Sequence, residues 1–174
     1  MPSDWIDILL TPSLAIKNSL KKVLGTGIEL IAHMGLERFI EAQKGDYDIA
    51  LNEIKSGRKR SHWMWFIFPQ ITGLGSTETS RYYAIQTIQE ATDYLLDPEL
   101  GGRLTTICKA LLELETNDPR AVFGSPDDLK LKSSMTLFEA VPATFPVFGQ
   151  VLEKFYGGQR DLRTLQILKD RKAE

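Results

Sequence analysis

The sequence predicts an all-α fold, a single compact domain of about six to eight short helices. Three observations predict it. Apolar residues recur at helical spacing in at least six segments. Those segments are punctuated by Asp-Pro pairs, glycines and a Gly-Gly pair, with short connections between them. Only one run, WMWFIF at 63–68, is strand-like in composition, and a lone strand has nothing to pair with.

Residues 1–34 stand apart. WIDILL and IKNSLKKVL are amphipathic fragments interrupted by Pro12, Gly25 and Gly27, and they read as an N-terminal extension whose short helices pack on the main body. The helical domain itself takes residues 35–174. LERFIEAQ places Leu36, Phe39, Ile40 and Gln43 on one face. Asp46 is expected to cap a new helix, YDIALNEIK, with Tyr47, Ala50, Leu51 and Ile54 inward and Gly57 at its end. The 63–68 run reads as a short helix over 62–68 capped by Ser61 and stopped by Pro69, with a strand as the alternative. SRYYAIQTIQEATDYLL reads as one helix, with Ile85, Ile88, Ala91, Thr92 and Leu95 at helical spacing. Asp97 before Pro98, Asp118 before Pro119, and Ser125 before Pro126 each read as a cap followed by proline in the first turn. The first of these helices tolerates Gly101 and Gly102 at some cost; the second ends at Gly124. TFPVFGQVLEKFYGG buries Phe148, Val151, Leu152 and Phe155, and Asp161 opens the last helix.

The chain has 174 residues, 43% of them hydrophobic. At that length a domain buries roughly 70% of its unfolded surface and needs no disulfide or metal to fold. The net charge is -2 and the pI about 5.8, which argues against general nucleic-acid binding. The lone cysteine, Cys108, falls at helical spacing among Leu104, Ile107 and Leu111 and reads as a small buried hydrophobe. No run approaches the roughly 18 apolar residues of a membrane span. Acidic residues precede any basic one at the N-terminus, which resembles neither a secretory signal nor a transit peptide, so the expected compartment is the cytoplasm. No metal or cofactor is expected; the oligomeric state is left open.

Three segments carry the chemistry-bearing residues. In GRKRSHWMWFIFPQ, residues 57–70, dense positive charge abuts dense aromatic surface. Arg58, Lys59 and Arg60 are candidate phosphate or carboxylate contacts, since a guanidinium offers a planar fork and an ammonium a point charge. Trp63 and Trp65 are candidate platforms for a base, with core packing as the competing role. His62 is the candidate catalytic residue: neighbouring cations favour the neutral imidazole, which can act as a general base or orient a ligand. A capping or core histidine is the competing role.

In KLKSSMTLF, Lys130, Ser133 and Ser134 share one side of a helix, while Leu131, Met135 and Phe138 share another. A lysine beside two hydroxyls suits a phosphate or ribose; a polar surface stripe is the alternative. In GLGSTETSRYYAI, Gly73 and Gly75 permit close backbone approach, and Ser76, Thr77 or Thr79 is a candidate cap. Ser76, Arg81 and Tyr83 are expected near the start of the following helix, where exposed N–H groups favour an anion. A flexible turn with a cap is the simpler account. No Walker A loop, dinucleotide fingerprint, metal-ligand spacing or nucleophile elbow is present. Catalysis would rest on His62, on a carboxylate such as Glu90 or Glu139, or on Lys130.

GRKRSHWMWFIFPQ, GLGSTETSRYYAI, EATDYLLDPELGGRL, KLKSSMTLF and FYGGQRDLRTLQIL, in that order, resemble the uncharacterised family catalogued as domain of unknown function eighteen-ten. The resemblance runs from about Leu36 to Leu168 and implies a mainly helical fold with no established activity. Members sometimes carry the label calpastatin. Calpastatin inhibitory segments are disordered, whereas this chain has a globular helical pattern. Two positions depart from the family pattern: Gly35 stands where an acidic residue is expected, and Asp97 where a histidine is expected.

The functional expectation is a domain that binds, and in its stronger form processes, a phosphate-bearing small molecule of nucleotide or ADP-ribose type. The three segments would join in one pocket. The alternative is a non-catalytic helical module that recognises a protein or peptide.

Overall fold

The structure, a computed structural model, describes residues 35–172. The expected N-terminal extension, residues 1–34, lies outside them. The all-α expectation holds. Nine helices occur among the described residues: α1 Glu37–Lys55, α2 Met64–Ile67, α3 Glu78–Tyr82, α4 Ile88–Leu96, α5 Pro98–Glu113, α6 Pro119–Phe123, α7 Asp127–Glu139, α8 Val147–Tyr156 and α9 Leu162–Lys172.

Helix α7 is the axis of the core. It is buried nearly all round, from Leu131 through Phe138; α4, α6, α8 and α9 pack on it, and α1 joins through α5. A chain of rings runs across these elements. Phe39 of α1 meets Tyr94 of α4 edge-on at 5.2 Å, Tyr94 meets Phe138 of α7 at 5.3 Å, and Phe138 meets Phe148 of α8 at 5.7 Å. Each such side chain contributes about 1.5–3 kcal/mol by leaving water. Cys108 sits in this core with Leu104, Ile107 and Leu111, as expected, and burial pushes its thiol up.

The proline and aspartate signals translate directly. Asp97 accepts from Glu99 N and Leu100 N, each at 2.9 Å; Asp118 accepts from Arg120 N at 2.9 Å; Asp161 accepts from Thr164 N at 2.8 Å. Gly57 and Gly157 follow α1 and α8 at φ +74° and +58°, a conformation that favours glycine.

Four expectations are corrected. Asp46 caps nothing: α1 runs straight through it, because Phe39, Gln43, Tyr47, Ala50 and Ile54 form one unbroken buried stripe. The 80–96 helix is split. Ile85 N donates to Gln70 O at 2.8 Å and Thr72 N to Ile85 O at 2.9 Å, so an Ile71–Ile85 bridge takes groups that a helix would use. Thr77 and Thr87 cap the two pieces. The short aromatic helix begins after Trp63 rather than at a Ser61 cap, since the Ser61 hydroxyl is committed elsewhere. Ser125 caps nothing either, because Asp128 N, which it would have received, donates to Gly124 O at 2.9 Å.

Candidate functional site

The basic segment is organised by a residue the sequence did not single out. Glu53, near the end of α1, accepts four hydrogen bonds from the loop that follows it. The donors are Arg60 N at 2.7 Å, Ser61 N at 3.0 Å, Ser61 Oγ at 2.5 Å and Trp63 Nε1 at 2.8 Å. Burial pushes the carboxyl up, but the Ser61 hydroxyl, the two amides and the indole outweigh it and hold the group down at about 2. Lys59 N adds a bond to Val122 O at 2.7 Å.

The pinned segment alternates. Arg58, Arg60 and His62 are exposed, while Lys59 and Ser61 are half-buried and Trp63 is buried. Two guanidinium groups and an imidazole are thus exposed on one short segment, and none of the three has a described side-chain partner.

On the inner side two of the predicted segments meet. Lys59 Nζ lies 2.7 Å from Asp127 Oδ2 and donates to Ser61 O at 2.7 Å. Lys130 Nζ lies 2.7 Å from Asp127 Oδ1. One carboxylate thus bridges two ammonium groups. Burial opposes its ionisation, but the hydrogen bonds and charges of Lys130 and Lys59 hold the carboxyl below the ordinary aspartate range. Each lysine also sits over an indole: Lys59 is 5.1 Å from the Trp63 ring, Lys130 4.8 Å from the Trp65 ring.

The remaining predicted residues separate from this centre. Trp63 is 1% exposed and packs on Phe68 and Phe123, so it cannot stack on a base. Ser133 and Ser134 are buried rather than lining a wall; the Ser133 hydroxyl donates to Leu129 O at 3.1 Å. Arg81 falls in the last turn of α3 and Tyr83 just beyond it, not in the first turn. Tyr83 packs on Phe66 at 5.3 Å and Phe39 at 6.1 Å. Ser76 and Arg81 are exposed, and no described contact joins them to Lys59, Asp127 or Lys130.

Two surface hollows occur beside α9. One is lined by Ile88, Ala140, Leu165, Leu168 and Lys169, the other by Thr72, Gly73, Thr87, Ile167, Asp170 and Arg171. Neither includes Arg58, His62 or Lys130. Glu53 and Asp127 escaped the sequence reading. The available signals were a carboxylate one turn before the end of a helix that runs into three cations, and the three-residue spacing of Asp127 and Lys130.

Residues 33–168 match the family described as "Protein of unknown function (DUF1810)". The chain belongs to that family. This DUF1810 protein is also similar to a solved structure, that of the conserved hypothetical protein Rv1873 from Mycobacterium tuberculosis. The two are 42% identical with a TM-score of 0.75, and the match covers 77% of this chain and 96% of that one. Among curated proteins no match is found. No helix among the described residues of this family member is long and apolar enough to cross a membrane.

Proposed function

We propose that the protein binds a phosphate-bearing small molecule of nucleotide or ADP-ribose type on the exposed basic segment that carries Arg58, Arg60 and His62. The observation that carries this reading is the Glu53 clamp. It fixes the backbone of residues 60 and 61 and the Trp63 ring, so the backbone that carries the exposed basic groups is ordered before any ligand arrives. Preorganisation of this kind reduces the ordering cost of binding. Arg58 and Arg60 supply guanidinium forks, and His62 donates to a phosphate oxygen. The reading is of binding without chemistry, because no described partner orients His62 as a base.

Thermal unfolding with pyrophosphate, ADP, ADP-ribose and sugar phosphates tests it. A ligand at 100 times its Kd stabilises by about 2.7 kcal/mol, a rise of about 5–11 °C for a domain of this size. The shift should vanish in the Arg58→Ala/Arg60→Ala double variant, whose ligand-free midpoint stays near the native one. If no compound moves the midpoint, this reading is wrong.

The alternative, a helical module that recognises a protein or peptide, draws support from α9. There Leu162 is 79% exposed and Leu165 40% exposed, beside the apolar hollow with Ile88 and Leu168. Under that reading phosphate compounds leave the midpoint unchanged, and substitutions at Leu162 and Leu165 abolish partner binding.

A further inference from the structure

Trp65 is the exception in its own segment. Of the six consecutive large apolar residues at 63–68, Trp63, Met64, Phe66, Ile67 and Phe68 are between 0% and 7% exposed. Trp65 alone is only half-buried. Its ring face is occupied by a side chain rather than by core: the Lys130 ammonium lies 4.8 Å from the ring centroid. Lys130 is itself 23% exposed and shares Asp127 with Lys59. Asp127 already has a second cation, so it stays paired when Lys130 leaves. Lysine carries its charge on a flexible four-carbon stem, so the ammonium can swing while the helix stays in place. An indole with a flexible cation over its face, three residues after His62 in the exposed basic segment, suits a ligand that has both a flat ring and a phosphate.

We propose that Trp65 is the stacking platform for the aromatic base of the phosphate-bearing ligand, with Lys130 as a movable cover that leaves the indole to meet the ligand's phosphate. This rests on the phosphate-binding reading above and narrows it. The ligand is a base-bearing phosphate, a nucleotide, rather than inorganic phosphate or a sugar phosphate. Stacking is tolerant of base identity because every base has a π-face. Discrimination should therefore fall between ligands with a ring and ligands without one, not among the bases.

The test is titration calorimetry of the full chain with ADP, ribose 5-phosphate and pyrophosphate, alongside tryptophan emission. The native protein should bind ADP at least about tenfold more tightly than ribose 5-phosphate or pyrophosphate. ADP should also quench indole emission. Trp65→Phe keeps a π-face and should retain most of the preference. Trp65→Leu should erase the preference, bringing ADP to the affinity of pyrophosphate. If Trp65→Leu does not fold, the native preference and the Trp65→Phe quench, lost with the indole, decide alone. Equal affinity of the native protein for all three compounds overturns the base platform and leaves the phosphate reading standing. Failure of all three to bind overturns both.

Discussion

Glu53 shows how one side chain can organise a stretch whose own residues look more conspicuous. Its carboxylate closes two amides, a hydroxyl and an indole N–H, and each bond to a charged acceptor contributes about 1.5–3 kcal/mol net. A glutamine there keeps the shape but removes the charge and presents an extra donor to groups that are themselves donors. Glu53→Gln should therefore cost about 2 kcal/mol or more at pH 7. The pH dependence has a definite sign. The folded carboxyl titrates near 2, below its ordinary 4.5. Its contribution is fully present above pH 4.5 and is lost as pH falls toward 2. Urea unfolding across pH 7 to 2 should show the gap between native and variant narrowing in that window. A gap that stays constant would mean that Glu53 acts by shape and not by charge. Cations and aromatics were legible in the sequence because their identity suggests a role. Glu53 and Asp127 were not, because a carboxylate acquires its role only from the donors that the fold brings to it.

At the scale of elements, the division between legible and illegible follows the range of the interactions. Asp97, Asp118 and Asp161 cap helices through amides two or three residues away, so local pattern reveals them. The Ile71–Ile85 bridge and the unbroken run of α1 through Asp46 depend on packing with distant chain, so local pattern misplaces them. The glycine pair in α5 falls between these cases. Both glycines look like the same helix-weakening defect in sequence. A Cβ on Gly101 would stand 2.2 Å from Leu95 O, because the end of α4 passes directly over the start of α5; a Cβ on Gly102 would meet nothing within 4 Å. Gly102→Ala should stabilise by about 0.5–1 kcal/mol through helix propensity. Gly101→Ala should destabilise by more than about 1–3 kcal/mol, the usual cost of overpacking, because its obstacle is backbone. Denaturant midpoints of the two variants measure both. Equal effects would mean that α4 and α5 do not approach as closely as described.

Across the whole molecule the electrostatics point two ways. The net charge of -2 repels an anion at long range, while Arg58, Arg60 and His62 present exposed basic groups nearby. Exposed charges interact over a Debye length of about 10 Å at 0.1 M salt and about 3 Å at 1 M. The near field, made of direct contacts to two exposed guanidinium groups, should dominate affinity. Each of those contacts is screened, because both arginines are exposed to solvent. Pyrophosphate affinity should therefore fall steadily, by at least about threefold between 0.05 and 0.5 M salt. The dependence should be largely absent from an Arg58→Gln/Arg60→Gln variant. The slope also separates the two places where an anion can be held. A phosphate drawn in between Lys59 and Lys130, which are 9% and 23% exposed, would respond weakly to salt and keep its response in the double variant. An affinity indifferent to salt would thus move the anion off the two arginines and onto the two lysines beside Asp127.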